Sequence, residues 1–445
     1  MNRSVETDFI ELQAERIPIA WRGEVLVVGG NAAGIAAGAA SSRKRVRTMV
    51  LEKNCYLGGK VSDGAGFPVK GGFPGYVSLG GIMDELCAKL RYAQEDSAVV
   101  ANIKGEGVCY YHENEYFKFL AEDLLRKSGC KWKLNVSVSD VLWKAGKISG
   151  VVTVKNMKKS AYLADVIIDA TENAELAEYL GSLEKDSKKT GAFYPYILEN
   201  IDTDKLIEYL KSDPKLEKAW KKASDDRELP DEKNKMWKIY PELKRGVVYG
   251  ETIQVQVAED RTEESLFEEV HQKLFQHLRF FRRYVAGMEK CRLFRCSSDI
   301  IFDLPGKIKG VQTGNAKYWE ADKKFKGILR VEKEGGKQEK MPLGMIIPKN
   351  TENLLVAGRA CDMDNFFREK VGTAQEMVLG QCAGICAALS VLRKVKLKEL
   401  KEEEIHSLMN EVGCDIDGDL SRKYSGDIKI AGYGASLMGA KETEE

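Results

Sequence analysis

Residues 24–59 read EVLVVGGNAAGIAAGAASSRKRVRTMVLEKNCYLGG, and no other stretch restricts the fold as much. Residues 24–28 have the composition of a buried parallel strand. Gly29 and Gly30 follow as a turn, and residues 32–40 form an Ala-rich helix with Gly34 on its first turn. Residues 47–52 read as a second strand that ends on an acid. Strand, glycine turn, helix, strand and acid make up the βαβ unit that holds a dinucleotide. Its backbone N–H groups and the positive end of its helix cradle a pyrophosphate, while the acid accepts from a ribose hydroxyl. The cradle falls to Gly29, Gly30, Asn31, Ala32, Ala33 and Gly34, and the ribose end to Glu52 with Lys53 beside it. Against GxGxxG, Asn31 stands where the second glycine is expected, and asparagine reaches left-handed φ more easily than most residues. A plain α/β unit whose glycines only allow helix–strand packing is the competing reading.

A chain of 445 residues can bury a large core and divide into two or three domains. Sixty-nine basic residues against 68 acidic ones leave a net charge of +1, so nothing marks a nucleic-acid partner. No apolar run approaches the length of a bilayer span, and Glu6, Asp8, Glu11 and Glu15 do not suit a signal peptide. Ten scattered cysteines without a CxxC pair read as reduced thiols, which points to a cytoplasmic protein.

A glycine-dense loop over residues 58–81 suggests backbone lying against an extended ligand. Helices are expected over 82–94 and 115–128, alternating strands over 131–154, and a buried strand over 165–170. From about residue 185 the character changes to long charged helical stretches at 203–225 and 263–288. Near residue 341 the first character returns, with a strand at 354–357, a Gly358-Arg359 turn and a small-residue helix over 372–392. A charged helix over 397–412 and a polar tail close the chain. The expected class is α/β: a Rossmann-like parallel-sheet domain over 18–184 and 341–395, interrupted by an α+β substrate domain over 185–340 and followed by residues 396–445.

EVLVVGGNAAGIAAGAA, LEKNCYLGGKVSDGAG, DVIIDATENAELAEYLG and NLLVAGRACDMDNFFREKVGTAQEMVLGQCAGICAA together resemble the FAD-dependent oxidoreductase family. Within it they are most similar to the glutathione-reductase-like flavoproteins, and more distantly to the fumarate reductase flavoproteins. The resemblance implies FAD as cofactor and a small-molecule substrate, and leaves the substrate and any homo-oligomer open. By position it implies that Glu52 holds the adenosine ribose and that Val138 meets adenine through its backbone. Gly58, Gly59 and Lys60 would lie along the flavin side, and Gly358-Arg359 along the ribityl chain. Ala170-Thr171 would stand near the adenosine half, with Glu172 in place of the family's glycine. Gly372-Thr373-Ala374 would open a helix whose N-terminus points at the flavin pyrimidine.

The segment CDMDNFFREKV, residues 361–371, departs from its relatives and would sit beside the reactive ring. If extended, it turns Arg368 and Lys370 the same way, as two cations for an anionic or strongly polar substrate. Asp364 and Glu369 are candidate proton carriers, Phe366 and Phe367 an apolar wall, and His112 the best placed of four histidines. A solvated loop with incidental charges is the plainer reading of that segment. His271 and His277, six apart on a helix, do not share a face, so no metal site is expected. Three activities remain open: two-electron transfer to a small molecule, a structural flavin serving binding or assembly, and electron transfer to a disulfide. The last needs a second cysteine near Cys55, and none is there. No second glycine fingerprint occurs over 185–340, so a full nicotinamide-binding domain is not expected.

Overall fold

The structure is a computed structural model that describes residues 15–65, 69–72, 79–94, 99–103, 107–184, 191–228, 245–257, 261–302, 306–315, 326–332 and 338–417. Five parallel strands form the central sheet: β1 (Val25–Val28), β2 (Thr48–Leu51), β3 (Lys131–Lys133), β4 (Val166–Asp169) and β5 (Leu354–Val356). Their order is β5-β4-β1-β2-β3, with strand order reversing beside β1. β1, β2, β4 and β5 are buried along their whole length, which is why each reads as a continuous apolar run.

Helix α1 (Ala32–Arg43) connects β1 to β2, and α2 (Thr373–Arg393) follows β5 in the chain. The two pack with their backbones almost in contact. A methyl group on Gly380 would come within 2.0 Å of the Ala33 carbonyl oxygen, and one on Gly384 within 2.4 Å of that of Ala37. Small residues four apart on both helices make this approach sterically open, and they explain why α1 is buried all round. α2 has the length and hydropathy of a bilayer-crossing helix, but 89% of its most apolar window is buried inside the protein.

A second sheet, Ile19–Arg22 with the meander Ser137–Lys144, Lys147–Lys155 and Lys158–Leu163, lies against the opposite face. Its hairpin turns at Ala145 and Gly146, both at positive φ, as a two-residue turn requires. The middle of the chain builds a separate antiparallel sheet from Gly191–Glu199, Val247–Gln256 and Arg292–Cys296. Helix Glu263–Tyr284 packs on it through Val270, Leu274 and Phe281, giving this unit its own apolar core.

Several expected elements have different bounds. The stretch expected as one helix over 203–225 is two, Thr203–Ser212 and Glu217–Asp225. Pro214 breaks it, and the Asp213 carboxylate accepts from the N–H groups of Lys218 and Ala219 to start the second. The expected helix over 397–412 is a short 3-10 turn, Leu397–Glu399, followed by Glu402–Glu411. In the glycine-dense loop, Gly59–Val61 forms a 3-10 turn and Val69–Gly72 a strand; residues 66–68 and 73–78 lie outside the described residues, as do the expected lead-in to residue 14 and the tail beyond 417.

Candidate cofactor-binding site

The residues singled out for a dinucleotide leave the C-terminal ends of four neighbouring strands. Gly29–Gly34 follow β1, Glu52–Lys60 follow β2, Ala170–Glu172 follow β4 and Gly358–Arg359 follow β5. In an open parallel sheet this is where ligand crevices form. Backbone bonds hold the segments together: Gly29 N–H to Leu51, Ala170 N–H to Val28, Ala357 N–H to Asp169 and Gly58 N–H to Gly30.

Gly29 sits at φ +101, a region that L side chains rarely adopt. Gly34 is required by contact, since a methyl group there would come within 1.8 Å of the Gly29 carbonyl oxygen. Asn31 does not take the left-handed conformation expected of it. Its φ of −72° and ψ of −172° are extended, and its side chain caps α1 by accepting from Gly34 N–H at 3.0 Å. Asparagine therefore serves at this position as a helix cap. The N–H groups of Ala32 and Ala33, in the first turn, have no intrahelical acceptor by position and suit a phosphate.

Glu52 is buried and accepts from Gly30 N–H at 2.6 Å and Asn54 N–H at 2.7 Å. Burial pushes its pKa up, against these two bonds and the nearby Lys53. The Val136 N–H donates to the Glu52 carbonyl, which brings the Val138 strand to this end of the cleft, while Lys53 points outward to Glu175. Asp169, fully buried at the end of β4, accepts from the N–H and hydroxyl of Thr171 and from the N–H groups of Leu176 and Ala177. Burial raises its pKa to about 6 against those donors. It thereby fixes the Ala170-Thr171-Glu172 turn.

Gly58 and Gly59, expected on the flavin side, both have positive φ. Lys60 reaches across to Glu376, on the first turn of α2, at 2.8 Å, and Arg359 Nε approaches the same oxygen at 3.3 Å. Burial acts to raise the Glu376 pKa, but the two cations outweigh it and hold the group ionised. Glu172, in the place of the family's glycine, lies 3.8 Å from Lys60 and accepts from Asn31 Nδ2 at 3.4 Å. Glu376 carries no signal in the sequence, because Lys60 lies 316 residues away and Arg359 outside any local motif with it. Gly358 has φ +131 and open space where a side chain would stand, as the floor of a ligand groove requires. A glycine turn opening a helix whose Ala32 and Ala33 N–H groups lack an intrahelical acceptor by position, a buried acid and this open floor fit FAD.

The substrate-side expectations fare differently. Residues 365–368 form a short helix, Asn365–Arg368, so Arg368 and Lys370 do not point the same way. Arg368 is fully buried and donates to the carbonyls of Arg359 at 2.9 Å and Gly306 at 3.1 Å, and to Asn365 Oδ1 at 3.1 Å. Lys370 is half-buried, with its ammonium 4.7 Å from the Phe366 ring centre, and Asp364 is exposed at the start of the helix. Behind them, Asp362 binds Lys307, Gly310 and Thr313, tying the segment to a stretch whose part sequence reading did not anticipate. His112 lies behind the Gly58 loop, its ring 5.3 Å from that of Phe117, and among the described residues neither ring nitrogen makes a well-formed hydrogen bond. Burial lowers its pKa to about 4, so it is neutral at pH 7. Cys361 is buried and its thiol pushed up to about 12, while Cys55 is exposed. Among the described residues no group of three metal-ligating side chains occurs.

A family model described as FAD dependent oxidoreductase matches residues 24–305 and 321–410. A search of curated proteins returned no match. Among solved structures, a geranylgeranyl bacteriochlorophyll reductase-like protein from Thermoplasma acidophilum aligns at 15% identity and TM-score 0.47, over 88% of this chain and 84% of that one. A p-nitrophenol 4-monooxygenase from Pseudomonas putida aligns at 12% identity and TM-score 0.46, over 89% and 88%. A flavoprotein/dehydrogenase from Cytophaga hutchinsonii aligns at 13% and 0.45, over 87% and 82%. Likenesses at this level leave the substrate open. The family match spans most of the chain, and the chain belongs to the FAD-dependent oxidoreductase family, an enzyme family with FAD as cofactor.

Proposed function

We propose that the chain transfers a hydride or two electrons between FAD and a small polar organic substrate. The observation that carries this is the convergence of four segments, three of them glycine-bearing, at the C-terminal ends of β1, β2, β4 and β5. FAD supplies the electron-accepting ring; the chain supplies binding, orientation and charge. Ala32 and Ala33 N–H groups take the pyrophosphate, Glu52 the ribose, and Lys60 and Arg359 the flavin half. Lys370 takes the substrate's polar or anionic group, and Asp364 moves its proton at a carboxylate oxygen. Arg368 acts at one remove, holding the Arg359 backbone in place. His112 is neutral and behind the loop, and its part is to support the wall.

The same proposal keeps the division into an FAD-binding unit over 18–184 and 341–395 and an inserted unit over 185–340. The separate core of residues 192–300 supports it. It also keeps the glutathione-reductase-like branch and a cytoplasmic location, the latter supported by nine described cysteines that are all free. The test is an anaerobic screen of small polar reductants and oxidants against FAD-loaded protein, following the flavin absorbance. Bleaching by one substrate class, lost in Lys370→Ala with FAD content intact, supports the reading. A flavin that no small molecule reduces or reoxidises overturns it.

A further inference from the structure

Lys60, from the loop after β2, meets Glu376 and Arg359, from either side of the turn that leads into α2, at one Glu376 carboxylate oxygen. All three side chains are largely buried, with exposures of 6%, 13% and 16%. The anchor points are fixed as well. Arg368 holds the Arg359 carbonyl, and the Gln375 side chain accepts from Gly372 N–H at the start of α2. Glu172, 3.8 Å from Lys60 and 39% exposed, adds a weaker second acid.

A buried carboxylate on the first turn of α2 has the helix dipole in its favour, yet it places negative charge where that dipole would otherwise favour an anionic ligand. Lys60 and Arg359 over-compensate it, so this trio carries one net positive charge, which the more exposed Glu172 offsets only in part. We propose that Glu376 is a positioning residue: it fixes Lys60 and Arg359 against the N-terminus of α2, and through that trimmed positive charge sets the reduction potential of the flavin. The inference rests on the FAD placement proposed above. Two-electron reduction at neutral pH takes up two electrons and one proton and leaves the ring with a net negative charge, so local positive charge favours it.

The test is a spectroscopic measurement of flavin potential against reference dyes in the FAD-loaded protein, for wild type, Glu376→Gln, Lys60→Met, the double variant and Glu376→Asp. Glu376→Gln is expected to shift the potential upward and Lys60→Met downward. The double variant should fall between the two, and the aspartate should return toward wild type, which a merely structural role would not produce. Should Glu376→Gln fail to fold, Lys60→Met and Arg359→Met each carry the test through an expected downward shift. Potentials equal to wild type in every variant that binds FAD overturn the inference. A wild type that takes up no FAD overturns the placement beneath it, and the two failures are distinct.

Discussion

The Gly30 N–H donates to Glu52 Oε2 at 2.6 Å, so the glycine turn and the acid ending the next strand form one hydrogen-bonded unit. The other oxygen accepts from Asn54 N–H, and Glu52 thus fixes two loops before any ligand is considered. Glu52→Ala removes both acceptors and, on the proposed FAD placement, the ribose contact. FAD affinity should fall by about 10- to 100-fold, roughly 1.5–3 kcal/mol, measured by fluorescence titration of stripped protein. Glu52→Lys should lose more, and unchanged affinity in both would remove the acid from the ribose.

Gly34 faces backbone, which cannot rotate away as a side chain can. A methyl group there meets the Gly29 carbonyl at 1.8 Å, so even Gly34→Ala should destabilise by about 3 kcal/mol, read as a shift in the urea midpoint. Gly181→Ala, where a methyl group meets nothing within 4 Å, should cost only its positive φ, about 1 kcal/mol.

The parts of the site legible in the sequence are those written in local grammar. Gly29, Gly34 and Glu52 sit at spacings set by a single βαβ unit, and the short apolar runs of β1, β4 and β5 mark a sheet buried on both faces. Asn31 falls in the turn, as its place in the motif predicts, but it caps α1 from an extended backbone, because capping and left-handed φ are two separate uses of asparagine. Arg368 and Lys370 show where local reading ends. Whether two cations one residue apart share a direction depends on helix or extended backbone, and that was decided by Asp362 and Arg368 bonding to residues 306–313. Glu376 gave no local sign at all, since its meaning lies in Lys60 and Arg359.

Arg368 and Lys370 should therefore part experimentally. Arg368→Ala leaves two backbone carbonyls without their donor and a cavity in the core, which should cost about 3–5 kcal/mol of stability and release FAD as a consequence. Lys370→Ala should leave the melting temperature and FAD content unchanged and lower turnover. Equal stability of both variants would return Arg368 to the surface.

His112 gives the protein an acid-side sensitivity. Its folded pKa, about 4, lies below the ordinary 6.5, so the neutral ring is favoured by folding. Its contribution is fully present above pH 6.5 and lost as the pH falls toward 4, by about 3 kcal/mol in all. Stability curves at several pH values should be flatter across that window in His112→Leu than in wild type. Parallel curves would mean that the ring does not titrate there.

The most direct test of the account is the FAD content of the purified chain, taken from the absorbance of released flavin against protein concentration. One FAD per chain is expected, non-covalently held and released by acid precipitation, with the flavin lost in Gly34→Leu. A colourless wild type that takes up no added FAD in a calorimetric titration would contradict it.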